Sequence, residues 1–168
     1  MRNYPEELTK VIPEFPEYLV SSIGQFFNRR TGRQLIVSPS TTNYGGSVGF
    51  VKNGKQYRRS AKLIVAKAFV PGRTVLFNTP IQLDGDVLNL DCLNLEWRPR
   101  WFAWEYTHQF RTPHRWYYNG PILDVVNNVE YETIYQAAVS TGSLCKDIYS
   151  AMRSNDNVFP GRERYVYV

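Results

Sequence analysis

The first part of the chain, to about Arg59, breaks into short apolar runs separated by turn residues. Tyr18-Leu-Val-Ser21, Gln25-Phe-Phe-Asn28, Arg33 to Val37, Ser47 to Lys52 and Lys55 to Arg59 alternate with Ile23-Gly24, Thr31-Gly32 and Tyr44-Gly-Gly46. This pattern predicts a small antiparallel sheet module. Asn53-Gly54 predicts a tight hairpin, because both central residues of such a turn need positive φ.

After Ser60 the pattern changes. Ser60 is placed to cap a helix that runs to about Phe69, with Leu63, Ile64, Ala66 and Phe69 inward and Pro71-Gly72 as the stop. A strand near Leu76 to Leu83, a turn at Asp84-Gly85 and a strand near Leu93 to Trp97 come next. A helix near Pro99 to Phe110 follows, with Pro99 suited to a first turn whose amides lack intrahelical partners. Farther on, Pro121 to Val126 predicts a strand and Asn127-Asn128 a turn. Thr133 to Thr141 and Leu144 to Arg153 predict two helices joined at Gly142, with Ala137 and Ala138 permitting close packing. The expected class is α+β. The expected blocks are 1–59, a basic β-rich module; 60–118, two strands and a helix with an aromatic connector; and 119–168, a helical pair.

Charge sharpens this picture. The net charge is +5, yet between Glu17 and Asp84 there is no acidic residue, against ten basic ones: Arg29, Arg30, Arg33, Lys52, Lys55, Arg58, Arg59, Lys62, Lys67 and Arg73. A one-signed surface of that length concentrates polyanions and suits nucleic acid. Solubility alone is the plainer reading, and the complete lack of acids weighs against it. The connector adds Arg98, Arg100, Arg111 and Arg115 among Trp101, Phe102, Trp104, Tyr106, Phe110, Trp116, Tyr117 and Tyr118. About half of those rings are expected to pack the last helix onto the sheet. Arg111, Arg115 and Trp116 are the expected nucleic-acid contacts, since arginine pairs phosphates and aromatic rings stack or wedge.

No run at the amino terminus has the apolar character of a signal peptide, and none approaches the roughly 20 apolar residues of a membrane span. Cys92 and Cys145 are far apart and carry no metal-binding spacing, so both are expected as free thiols in a reducing cytoplasm. No membrane partner and no cofactor is expected.

The segments Lys62-Leu-Ile-Val-Ala-Lys-Ala-Phe-Val-Pro71, Ile81-Gln-Leu-Asp-Gly-Asp86 and Cys92-Leu-Asn-Leu-Glu-Trp97 resemble the HNH homing endonucleases of bacteriophages and their introns. The family pattern there reads roughly HRLVAxAFxP, (D/N)HxDGNxxNN and NLxW. Upstream, Tyr18-x-Val-Ser, Ile23-Gly-x-Phe and Thr31-Gly-Arg-x-Leu resemble the amino-terminal module commonly joined to phage nucleases of this kind. The late helical pair and Gly161-Arg-x-x-Tyr165 resemble their carboxyl-terminal helix-turn-helix. The resemblance implies a ββα core, DNA as partner and, for a phage protein, the host cytoplasm. It also implies that the second helix of the late pair meets a groove, with Lys146, Tyr149, Ser150 and Arg153 as its contact residues.

The resemblance places Gln82 where the family keeps its catalytic histidine and Ile81 at the neighbouring metal ligand. An ungapped continuation places Ala103 at the helix ligand, and Lys62 replaces an upstream histidine. An HNH site needs a base to take a proton from water and a cation to offset phosphate charge. Gln82 takes up no proton near neutral pH, and Ile81 and Ala103 offer no oxygen or nitrogen. The expectation is a catalytically degenerate protein that still binds nucleic acid, duplex DNA foremost. Its expected contacts are Arg29, Arg30, Arg33, Lys52, Lys55, Arg58, Arg59, Lys62, Arg111, Arg115, Lys146 and Arg153.

Two other readings stay open. Trp101, Trp104 and Trp116 would anchor a host or phage protein if the scaffold had become a protein-binding factor, an inhibitor or a complex subunit. An active nuclease with a rearranged site would have to use His108 or His114, or a magnesium held by Asp84, Asp86, Asp91 and Asn94. A zinc site from the two cysteines and two histidines has no supporting spacing.

Overall fold

The computed structural model describes residues 8–40, 45–111 and 118–168. They divide into two compact units: the first holds residues up to 82 together with 86–100, the second 83–85 together with 101–168.

In the first unit, β1 (Thr9–Ile12), β2 (Phe15–Ser21), β3 (Phe26–Asn28) and β4 (Gln34–Leu35) form an antiparallel sheet in that order. A second sheet holds β5 (Val37–Ser40), β6 (Gly45–Lys52) and β7 (Lys55–Ser60). The hairpin forms where Asn-Gly predicts it, with φ of 53° at Asn53 and 73° at Gly54. It fixes the register Val48↔Arg59, Gly49↔Arg58 and Phe50↔Tyr57. Because strand side chains alternate faces, Val48 and Phe50 go to the core while Ser47 and Gly49 turn the other way. The Phe50 ring stacks on Phe15 at 4.6 Å, and Tyr18 meets its edge at 5.1 Å. The Tyr18 hydroxyl ties the two sheets together by accepting the Val51 amide at 3.0 Å.

Helix α1 (Ala61–Phe69) starts at Ser60, but the Ser60 hydroxyl makes no capping bond; only its extended backbone sets the entry. Ala61, Val65, Ala66 and Phe69 join Phe15, Phe26, Val48 and Phe50 in one core, so residues on both sides of position 60 are buried together. Strand β8 (Thr79–Gln82) pairs with β9 (Leu95–Arg98), Ile81 opposite Glu96 and Gln82 opposite Leu95. The expected strand from Leu76 is shorter, because Val75 and Leu76 are 95% and 61% exposed and have nothing to pair with there. A single 3₁₀ turn, Cys92–Asn94, occupies the start of the expected second strand; the Asp91 carboxylate caps it by accepting the Leu93 amide. The indole of Trp97 donates to the Val70 carbonyl at 3.0 Å and holds the end of α1 to β9.

Helix α2 (Arg100–Gln109) follows Pro99, and all of it after Arg100 belongs to the second unit. Pro99 precedes the helix instead of standing inside its first turn. A sheet of order β11–β10–β12 follows, from β10 (Ile122–Asp124), β11 (Val129–Tyr131) and β12 (Tyr165–Tyr167). Asp124 is buried, and its carboxylate accepts the Val126 amide at 3.0 Å and the Asn127 side chain at 2.6 Å, closing the turn to β11. Helix α3 (Ile134–Thr141) is capped by Thr133, whose hydroxyl accepts the Gln136 amide, and ends at Gly142 with φ of 65°. Helix α4 (Cys145–Ser154) closes the core through Cys145, Ile148, Ala151 and Met152 against Ile122, Ile134 and Tyr165. Its first amide, that of Cys145, donates to Gln109 Oε1 of α2 at 3.0 Å. The same Gln109 donates through Nε2 to the Ser143 carbonyl at 3.4 Å.

Gly24 has φ of +83°, and a Cβ there would lie 2.2 Å from the Leu90 Cβ. Gly24→Ala is therefore expected to lower stability by about 2 kcal/mol or more in urea unfolding. Gly32→Ala, with φ of +67° but open space around it, should cost only about 1 kcal/mol.

Both cysteines are buried, and burial pushes the Cys145 thiol up to about 11. A thiol kept neutral by the fold contributes stability that is whole below its unfolded pKa and is lost as pH rises through its folded value. Stability should thus fall between about pH 9 and 11, and Cys145→Ala should flatten that limb of the profile. Neither thiol should react with a disulfide reagent at pH 8 until the protein is unfolded.

Candidate functional site

The hairpin alternation sorts the basic residues of the first unit into two groups. Arg59 lies on the inner face, over Phe15 and Tyr57 at 5.4 Å from each ring. Its guanidinium binds Glu14 Oε1 at 2.5 and 3.0 Å. That hydrogen bond holds the Glu14 carboxyl below its usual range and raises Arg59 in turn. Lys52 donates to the Glu14 carbonyl at 2.8 Å and Arg29 to the Pro16 carbonyl at 3.0 Å. These three side chains are thus drawn to the Glu14–Pro16 segment, with much of each still in water.

Arg58 lies on the opposite face. There the outer surface of β5–β7 and the edge of β3–β4 enclose a groove of about 550 Å³. Arg33 and Arg58 line it, with the amides of Asn28, Gln34 and Gln56 and the hydroxyls of Ser38 and Ser47 between them. Among the described residues no carboxylate lines the groove. Gly49, opposite Arg58, leaves its floor open. Asn28 also shapes the turn beside it, its Oδ1 accepting the amides of Arg30 and Thr31 at 3.0 Å each. Arg30 and Lys55 are exposed and point to no partner among the described bonds. The alternation that separates Arg58 from Arg59 was readable in the sequence; the approach of Arg33 to Arg58 was not.

Lys62 stands on α1, half-buried, and burial lowers its pKa. A phosphate would reach this ammonium less readily than those of Lys52 or Lys55. Ile81 and Gln82 are both buried on β8, and Gln82 Nε2 donates to the Asn89 carbonyl at 3.4 Å. The same carbonyl receives Asn94 Nδ2 at 3.1 Å, which ties the Asn94 side chain to the backbone. Asp86 shapes its turn by accepting the Leu88 amide at 2.9 Å. Among the described residues, no group of three or more His, Cys, Asp or Glu is placed to hold a metal ion.

In the second unit Ala103 is buried beside Phe102 and Tyr106, and the Tyr106 hydroxyl donates to the Leu83 carbonyl at 2.7 Å. Gly85 lies against Phe110, where a Cβ would meet the ring at 2.4 Å. On α4, Lys146 forms an ion pair with Glu105, while Arg153 lies over the Tyr149 ring at 5.9 Å. Tyr149, Ser150 and Arg153 border a shallow surface hollow. Arg111 is exposed. Arg115, Trp116 and His114 lie outside the described residues.

This fold has a counterpart among solved structures. The chain is similar to one described as "DNA binding and cleavage by the HNH homing endonuclease I-HmuI", with a TM-score of 0.54 and 19% identity over 96% of this chain and 98% of that one. No family model and no curated protein sequence matches the chain. The fold is thus HNH-like, a mixed α and β arrangement of small antiparallel sheets and four helices. Among the described residues no helix is long and apolar enough to cross a membrane.

A lysine whose folded pKa is depressed disfavours the native state while charged, and that cost is relieved only as pH rises through the lowered value. Lys62→Met is accordingly expected to raise Tm at pH 7 by about 2–4 °C. The gain should shrink when the melt is repeated near pH 10.

Proposed function

We propose that this protein binds nucleic acid through its first unit, that duplex DNA is its target, and that it does not cleave what it binds. The observation that carries this reading is the groove: two arginines share its lining with the polar residues Asn28, Thr31, Gln34, Ser38, Ser47 and Gln56, and with no carboxylate among the described residues. Guanidinium pairs phosphate in a fork, and amide and hydroxyl groups fix register on a sugar-phosphate backbone. Arg30, Lys55 and the exposed parts of Arg29 and Lys52 extend the positive surface beyond the groove. Lys146, Tyr149, Ser150 and Arg153 on α4 would serve a helix-turn-helix contact. The HNH-like fold supports DNA as the partner, since the similar solved structure is described as binding DNA.

The same solved structure is described as cleaving DNA, and the residues here do not suit that chemistry. The family's metal needs oxygen or nitrogen donors. Ile81 is a buried hydrocarbon, and Ala103 is a buried methyl group. Gln82 is buried with its amide engaged to Asn89, and an amide takes up no proton near neutral pH. Loss of a general base alone costs about 10²–10⁴ in rate. The donor set does not fit a divalent cation, so no hydrolytic step is assigned. A phage origin and action in a host cytoplasm agree with the resemblance.

Binding to a labelled duplex should weaken by about 10³-fold between 50 and 200 mM salt if about six phosphates are neutralised. Arg33→Ala and Arg58→Ala should each weaken binding evenly across sequences and lower the salt slope by about one. Supercoiled plasmid should stay intact with Mg²⁺ or Mn²⁺. A flat salt response would remove the binding claim. Nicking that disappears in Gln82→Ala or His108→Ala would remove the claim of inactivity.

A further inference from the structure

Helix α2 has two unlike faces. Phe102, Ala103 and Tyr106 are buried, with Phe102 against Phe159 at 5.2 Å and Tyr106 against Phe110 at 5.2 Å. At 3.6 residues per turn, Arg100, Trp101, Trp104 and His108 fall within about 100° of arc on the other side. The outer face of a surface helix is ordinarily polar. Here it carries two indoles that leave 56% (Trp101) and 61% (Trp104) of their surface in water.

These rings are held in place. Trp104 stacks on the His108 imidazole with centroids 3.9 Å apart, and His108 Nδ1 lies 2.7 Å from the Trp104 carbonyl. Trp101 rests against Phe102 at 5.6 Å and Phe159 at 5.7 Å. Preset rings lose little freedom when something stacks on them. Arg100 is exposed at the start of the helix and Arg111 just past its end, and the helix's own carboxylate, Glu105, is engaged by Lys146. An ordered π surface with exposed arginines near both ends complements a flat base with phosphates on either side.

We propose that the outer face of α2 is a stacking platform for an unpaired nucleobase, so that the preferred nucleic acid has an extruded or unstacked base. This rests on the nucleic-acid reading above and narrows it, because paired bases in a duplex offer no free π face. Trp104, backed by His108, is the primary platform, and Trp101 extends it.

The test compares three labelled DNAs by fluorescence anisotropy: a paired duplex, the same duplex with a one-nucleotide bulge, and that duplex with an abasic bulge. The bulge with a base should bind about tenfold or more tighter than the paired duplex, and the abasic bulge should lose that gain. Trp104→Ala should erase the gain and leave paired-duplex binding unchanged, and Trp104→Phe should keep most of it. Trp101→Ala should reduce the gain in part. Equal binding of all three DNAs by the native protein, with the expected salt dependence intact, would overturn the platform alone. A gain that persists with the abasic bulge, or in Trp104→Ala, would also overturn it. Loss of all DNA binding in a Trp104→Ala protein of unchanged Tm would deny the selectivity. Should the native protein bind none of the three, both readings fall. A host protein captured by the native chain but lost with Trp104→Ala, with DNA binding unmoved, would assign the face to a protein contact.

Discussion

The register of the β6–β7 hairpin is the constraint from which the first unit follows. A slip of one residue reverses every side chain in a strand. In this hairpin it would send Val48 and Phe50 outward and carry Arg58 into the core. The Asn53-Gly54 turn, with two consecutive left-handed residues, prevents that slip. Because the turn is fixed, Phe50 reaches Phe15, Tyr18 and Phe26, and the two sheets acquire a common interior. Because the interior is fixed, adjacent arginines have opposite environments. Arg59 is neutralised by Glu14, and Arg58 faces the groove.

Much of this was legible in the order of residues. The hairpin turn, the span of α1 with its stop before Pro71 and the Gly142 terminus all follow from local rules that need no tertiary knowledge. Other features were not legible. Strand β1 is a four-residue run, Thr-Lys-Val-Ile, with three exposed positions, and it exists because β2 offers it an edge. Val75 and Leu76 are apolar and sound like a strand, yet they lie in water without a partner strand. The Ser60 hydroxyl has the right chemistry for a cap and makes no such bond. The two strand misses concern pairings between distant segments, which spacing along the chain does not encode.

The candidate site shows the same division. That the positive charge gathers in the stretch from Arg29 to Arg73 is a matter of composition. Which of those cations remain available is a matter of packing. Glu14, near the amino terminus, engages Arg59 and, through its carbonyl, Lys52. Arg98, one of the connector arginines, is buried between its own Glu96 partner at 2.8 Å and the Trp97 carbonyl at 3.0 Å. Arg33, in the loop before β4, and Arg58, on β7, line one groove. A count of charges would have weighed all of them alike.

Gln109 gives the second unit a property that its sequence pattern hides. The late helical pair resembles a cassette, with its own cap, its own turn and its own apolar seam. Yet α4 begins without a side-chain cap of its own, and the acceptor for its opening amide belongs to α2. Transplanted without α2, the segment 119–168 would begin that helix one hydrogen bond short, and Lys146 would lose its carboxylate neighbour. The helical pair is therefore not an interchangeable part: the start of α4 is set by the helix that comes before the pair.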